Sequence, residues 1–356
     1  MSSELMKKMM AANKSTVASI LSQSDTFNNK DMIPTGLPIL DIAFSGDVDG
    51  GMVSGLTVLS GESATFKSLL GLYCMKAYLT KHKDAIAIFW DSEGGITPEY
   101  MKSNGIDTDR VLHIPVEHLE QLKFDMVKRI SEISKGDKVF LFVDSLGGLG
   151  SKKELEDAMD EKSVADMTRA KSVRGVLRLV TPMVLNKDIP CIVVNHIYKN
   201  IMVMYGGNVQ GGGTSVVYFA TQIFEIGKSQ EKDGDELIGW NFTINISKSR
   251  FVRSKAKLPF TVLFDGGINK WSGLFDIAID ANLIAKTKSG WYALVDTDTG
   301  EISDKNFRQS AADCDEILGK VIKTDKFKEY VKSYYRLGHS TNSKLQEDDI
   351  FEKEVE

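Results

Sequence analysis

The octet Gly61-Glu62-Ser63-Ala64-Thr65-Phe66-Lys67-Ser68 constrains this chain more than any other stretch. It follows the apolar run Leu56 to Ser60 and opens a helical pattern near Lys67. A strand, a short loop and a helix in that order form a P-loop (Walker A), whose backbone N–H groups and helix N-terminus face phosphate oxygens. In that reading ATP is the ligand: Lys67 neutralises its β and γ phosphates, and the Ser68 hydroxyl ligates Mg2+. Phe66 departs from G-x-x-x-x-G-K-[ST], which has a second glycine at that position. Taken alone, the octet also reads as a surface turn with Ser and Thr capping a helix.

Further apolar runs of strand length follow at Ala85 to Trp90, Val139 to Val143 and Cys191 to Val194, separated by helical stretches. Continuous burial-type runs in that alternation predict a mostly parallel central sheet flanked by helices, an α/β fold. Asp144 ends one run as a Walker B acid does and is the candidate magnesium ligand; it could equally cap the next turn. Asp91-Ser92-Glu93 ends another run, and Glu93 is placed to orient a water on the γ-phosphate, although both acids also suit a solvated loop. Antiparallel strands are expected at Gln222 to Ile226, Asn241 to Ser247 and Phe260 to Phe264. Beyond about residue 271 the pattern becomes a small α/β unit with Trp271, Trp291 and Tyr292 as core aromatics. The expected organisation is an N-terminal arm (1–30), an ATPase core (31–270), a small C-terminal domain (271–346) and an acidic tail (347–356).

Charge has to be read by position. Glu347 to Glu356 holds six acids and one base, which accounts for the whole net charge of −5, so the body of the chain is neutral. Between Glu236 and Asp265 there is no acid, yet Lys248, Arg250, Arg253, Lys255 and Lys257 occur there, a stripe suited to phosphate or to guarding a strand edge. Cys74, Cys191 and Cys314 are scattered and form no C-x-x-C pair, which fits a reducing cytoplasm. No run approaches the roughly 18 apolar residues of a membrane span, so no membrane partner is expected.

Ile197 to Thr214 follows a core strand, lacks acids and carries five glycines, among them Gly211 and Gly212. A segment that long is uncommon unless functional or disordered. Met202, Met204 and Tyr205 could wedge or stack against bases, with Lys199 on phosphate. Ser151 to Asp166 is densely charged and also reads as a solvated helix; after it, Arg169 and Arg174 lie in an acid-free stretch suited to DNA phosphates.

With these residues assembled, the chain resembles the RecA family of strand-exchange recombinases, and within it the branch from T4-type bacteriophages. The likeness runs from about Phe27 to about Gly338 and includes Phe66-Lys67-Ser68, Gly95-Ile96-Thr97-Pro98, Asp144-Ser145-Leu146-Gly147 and Gly211-Gly212-Gly213-Thr214. Phe66 is a feature of that branch. The resemblance implies a RecA-like core with an N-terminal polymerisation arm, and a DNA-dependent ATPase that filaments on single-stranded DNA and exchanges strands with duplex DNA. It implies Glu93 as the catalytic glutamate, Tyr100 as the adenine-stacking ring, and His196 in place of the family's γ-phosphate-sensing Gln. It implies Lys248 and Arg250 as a device reaching a neighbour's ATP, and Ile197 to Thr214 and Ser151 to Asp166 as DNA-binding loops. A loading mediator, a single-strand-binding protein and a bacterial host cytoplasm follow from it too. A ring helicase on the same core and a non-hydrolysing accessory protein are the alternatives.

Overall fold

The computed structural model describes residues 4–12, 20–23, 31–160, 168–199, 208–210, 214–233, 236–264 and 267–338. The chain divides into two units, Met1–Asp31 and Met32–Glu356. In the first, α1 spans Glu4–Ala11, and its Leu5, Met6, Met9 and Met10 are exposed.

The second unit begins with α2 (Pro38–Ser45), β1 (Gly55–Gly61), α3 (Lys67–Lys81), β2 (Ile86–Asp91), α4 (Pro98–Ser103), β3 (Val111–Pro115), α5 (Leu119–Glu132) and β4 (Val139–Asp144). It continues with α6 (Lys152–Met159), α7 (Thr168–Asn186), β5 (Pro190–Lys199), β6 (Asn208–Gln210), α8 (Thr214–Phe219), β7 (Gln222–Asp233), β8 (Glu236–Lys248), β9 (Lys257–Leu263) and β10 (Gly267–Ile268). After these come α9 (Leu274–Asp280), β11 (Ile284–Lys288), β12 (Trp291–Val295), β13 (Ile302–Phe307), α10 (Leu318–Val321) and α11 (Asp325–Tyr335).

The main sheet runs β10-β9-β8-β7-β1-β5-β4-β2-β3, with β6 paired to β5. Its strands from β7 through β1, β5, β4 and β2 to β3 are parallel. β1 and β4 are buried along their whole length, as expected for strands covered on both faces. Alternate side chains feed two cores: Leu59, Phe89, Phe142 and Val194 face α2 and α3, while Val58, Trp90, Val143 and Val193 face α5 and α7. α3 lies close against β4 because Gly71 has no side chain; a Cβ there would stand 2.3 Å from the Phe142 ring. That contact sets the start of α3 over the ends of the parallel strands.

Two expectations are corrected. Gln222 to Ile226 pairs parallel with β1 as well as antiparallel with β8. Its polar residue misleads, because Gln222 is fully buried and donates to the Phe44 carbonyl at 2.7 Å. Trp291 is not a core residue: it is 37% exposed with the Arg308 guanidinium 4.6 Å from its ring centroid. Trp271 is buried, and Tyr292 packs edge-on against Phe275 at 4.9 Å. The C-terminal sheet β11-β12-β13 is antiparallel.

Candidate nucleotide site

Because β1, β5, β4 and β2 are parallel neighbours, their carboxyl ends align: Gly61 pairs with His196 and Asp91 with Asp144. Open α/β sheets bind ligands at this edge. A cavity of about 320 Å³ lies there, lined by Ser63, Ala64, Thr65, Phe66, Lys67, Ser68, Glu93, Tyr100, Asp144 and His196 together with Leu69 and Val194. Residues from four separate sequence motifs thus share one cavity. Gly61 ends β1 behind it, and the Glu62 side chain points to solvent while its carbonyl serves the loop.

The loop turns through left-handed backbone at Ala64 and Phe66, both at φ 56°. That conformation is why a glycine is expected at 66, since Cβ strain costs roughly 1–2 kcal/mol there. Phe66 instead packs its ring edge-on to Phe242 of β8, 5.1 Å between centroids. It also occupies the N-cap of α3 without a side-chain cap bond, which leaves the helix N-terminus to a ligand. Lys67 Nζ donates to the Glu62 carbonyl at 2.6 Å and to Thr65 Oγ1 at 3.1 Å. Burial lowers its pKa, partly offset by Asp144 and Glu93.

Asp144 is buried, and its Oδ1 has no hydrogen-bond partner. Burial pushes its carboxyl up to about 6, against the lowering effects of the Ser68 hydrogen bond and Lys67. An unpartnered carboxylate oxygen beside a hydroxyl is a donor set suited to a hard divalent cation, so Ser68 and Asp144 fit magnesium. Across the cavity Ser145 Oγ donates to Glu93 Oε1 at 2.6 Å, and His196 Nε2 lies 3.0 Å from the same oxygen. Ser145 Oγ is itself 3.3 Å from His196 Nε2, so the three side chains close a triangle.

The family described as RecA N-terminal domain matches residues 5–269. The chain belongs to the RecA family of recombinases. A second family, described as the C-terminal domain of the bacteriophage T4 recombination and repair protein, matches residues 271–331. The chain is 44% identical to the recombination and repair protein of Enterobacteria phage T4 over 354 residues, covering 98% of this chain and 90% of that one. It is 28% identical to RecA of Tropheryma whipplei, over 82% of this chain and 66% of that protein. With RecA of Clostridioides difficile the identity is 25%, over 86% of this chain and 84% of the relative.

The other candidate residues named from the sequence divide in four. Lys248 and Arg250 do not line the cavity of their own chain; Lys248 Nζ instead donates to the Val217 and Tyr218 carbonyls of α8 at 2.6 and 3.3 Å. Arg169 is turned inward, donating to the carbonyls of Gly147 and Leu149 at 2.7 and 2.9 Å, and so buttresses the turn after β4. Arg174 is exposed on α7 and helps to line a groove of about 680 Å³ with Lys171, Arg178, Lys123, Lys152 and Lys153. Met202, Met204, Tyr205, Gly211, Gly212 and the acidic tail lie outside the described residues, as does the side chain of Lys199.

Sequence reasoning passed over the residues that hold Glu93 in place. Ser145 was visible only as the neighbour of Asp144. Ser92 Oγ accepts from the Ser145 N–H and donates to its carbonyl, both at 2.9 Å, fastening the two loops together. Asp91 Oδ1 accepts the N–H groups of Glu93 at 2.9 Å and Gly94 at 2.8 Å. An Asx turn of this kind is signalled by an Asp two to three residues before a Gly, here Asp91-Ser92-Glu93-Gly94, a cue the sequence does carry.

Proposed function

We propose that this recombinase is a DNA-dependent ATPase that assembles as a helical filament on single-stranded DNA and drives homologous pairing with duplex DNA in recombination, repair and recombination-dependent replication. The observation that carries the reading is the convergence of Lys67, Ser68, Glu93, Asp144 and His196 on one cavity at the strand ends. In this reading triphosphate oxygens replace the Glu62 carbonyl and Thr65 hydroxyl as partners of Lys67. Ser68 and Asp144 would hold Mg2+, which supplies charge neutralisation of the phosphates. Glu93 orients the attacking water, and Tyr100, 41% exposed at the cavity mouth, offers a ring to the adenine.

His196 contacts Glu93 and sits on β5, the strand that leads towards residues 200–207. Exchange of its Nε2 between Glu93 and a γ-phosphate would tell the following DNA loop which nucleotide is bound. Lys248 and Arg250 act on the ATP of a neighbouring subunit, a role compatible with their place outside their own cavity. DNA phosphates are taken by Arg174 and the groove around it, together with the glycine-rich segment carrying Lys199, Met202, Met204, Tyr205, Gly211 and Gly212. The division of labour is an arm over 1–30, the ATPase core over 31–270, a small domain over 271–346 and an acidic tail over 347–356. A loading mediator and a single-strand-binding protein complete the partners, and the bacterial host cytoplasm is the setting. Among the described residues no helix is long and apolar enough to cross a membrane.

ATP hydrolysis by the wild type and Glu93→Gln, each with and without single-stranded DNA, tests this. Strong stimulation by DNA, lost in the variant, is expected; hydrolysis indifferent to DNA or surviving the substitution overturns it.

A further inference from the structure

The turn that carries Glu93 is held by β2's own last residue, and that residue is held from the next strand. Asp91 is 7% exposed, with Oδ1 committed to the N–H groups of Glu93 and Gly94. Its Oδ2 lies 3.1 Å from Nε2 of His113 on β3. In the parallel register His113 pairs with Phe89, two residues before Asp91, so both side chains stand on one face of the sheet. The His113 side chain is about half exposed, and its ring lies 5.4 Å from the Phe89 ring with 35° between the planes. On the opposite side of β2 the turn is tied to β4 through Ser92 N–H to the Asp144 carbonyl at 2.9 Å.

We propose that His113 is a positioning residue for ATP hydrolysis: it donates a hydrogen bond from Nε2 to Asp91, and Asp91 in turn fixes the backbone that aims Glu93. The proposal rests on the reading of Glu93 as the water-orienting group. A buried carboxylate oxygen left without its partner carries a desolvation cost, and rotation of Asp91 to relieve it would release the Glu93 and Gly94 N–H groups together. A small misplacement of the aiming carboxylate is enough to slow chemistry strongly while leaving the phosphate loop, and therefore nucleotide binding, untouched.

The test uses the full chain with saturating single-stranded DNA, measuring kcat and KM for ATP in His113→Ala, His113→Gln, Glu93→Gln and the double variant His113→Ala with Glu93→Gln. His113→Ala is expected to lower kcat roughly 10- to 100-fold, with KM held within about twofold. His113→Gln, whose amide can donate to Asp91, recovers most of the loss, and His113→Ala costs nothing further in the Glu93→Gln background. A loss confined to KM, a folded Gln variant as slow as the Ala variant, unchanged kcat, or effects that multiply in the double variant overturns the proposal. Hydrolysis that survives Glu93→Gln alone removes the reading beneath it, an outcome distinct from a failure of His113.

Discussion

The two sheets among the described residues handle side chains in opposite ways. In the main sheet β1 and β4 are buried at every residue, so no position of these two central strands faces water and their chemistry is confined to the turns at the carboxyl ends. In the small sheet β13 is exposed over Ile302 to Asn306 and β12 is buried only at Ala293, so its aromatic residues work half in solvent. A double-sided core permits no slack in register. A single-sided one leaves its outer face free to vary.

The largest way to break that contrast is to remove one aromatic ring from each sheet. Phe142, fully buried and stacked on Phe89 at 5.3 Å, is expected to lose about 3–5 kcal/mol on change to Ala. Trp291→Ala should cost under about 1 kcal/mol, the scale of an exposed contact with Arg308. Urea unfolding measures both; comparable losses would mean that the small sheet has a tighter core than its exposure indicates.

A smaller effect sharpens the account of the loop. Phe66 combines left-handed strain with ring packing on Phe242, so Phe66→Ala removes the packing and keeps the strain, whereas Phe66→Gly removes both. The Gly variant should therefore unfold about 1 kcal/mol later than the Ala variant. The reverse order in denaturant melts would show that residue 66 is not held in that conformation.

The last effect is on pH dependence. Burial pushes Asp41 up to about 7 from its ordinary 3.8, although Thr35 donates to it from N and Oγ1, both at 2.7 Å. The folded state then binds more protons than the unfolded one, so this group's contribution to stability falls as pH rises from about 4 to about 7. Asp41→Asn keeps the acceptor for Thr35 and removes the titration. Its Tm relative to wild type should climb by a few degrees between pH 5 and pH 8, as read by calorimetry at both pH values; a constant offset would show that Asp41 does not titrate in that range.

Much of the main sheet was legible because its strands are continuous apolar runs: Leu56 to Ser60, Val139 to Val143 and Cys191 to Val194 lie within β1, β4 and β5, and Ala85 to Trp90 begins one residue before β2. β3 escaped notice because Val111–Pro115 is a partly exposed edge strand with a histidine at its centre. The parallel pairing of β7 was hidden by Gln222, whose burial depends on a carbonyl 178 residues away in sequence.

The amino-acid order by itself determined the strand-loop-helix of the phosphate site, the acids at the ends of β2 and β4, and the family to which the chain belongs, because these are set by local periodicity and residue type. Only the tertiary structure decided that Arg169 turns inward, that Phe66 leans on Phe242, and that Ser145 and His196 meet on Glu93 while His113 meets Asp91. These contacts join residues from different strands, helices and loops. Their partners are selected by register and by the demand of buried polar groups for hydrogen bonds, neither of which a single stretch of sequence records.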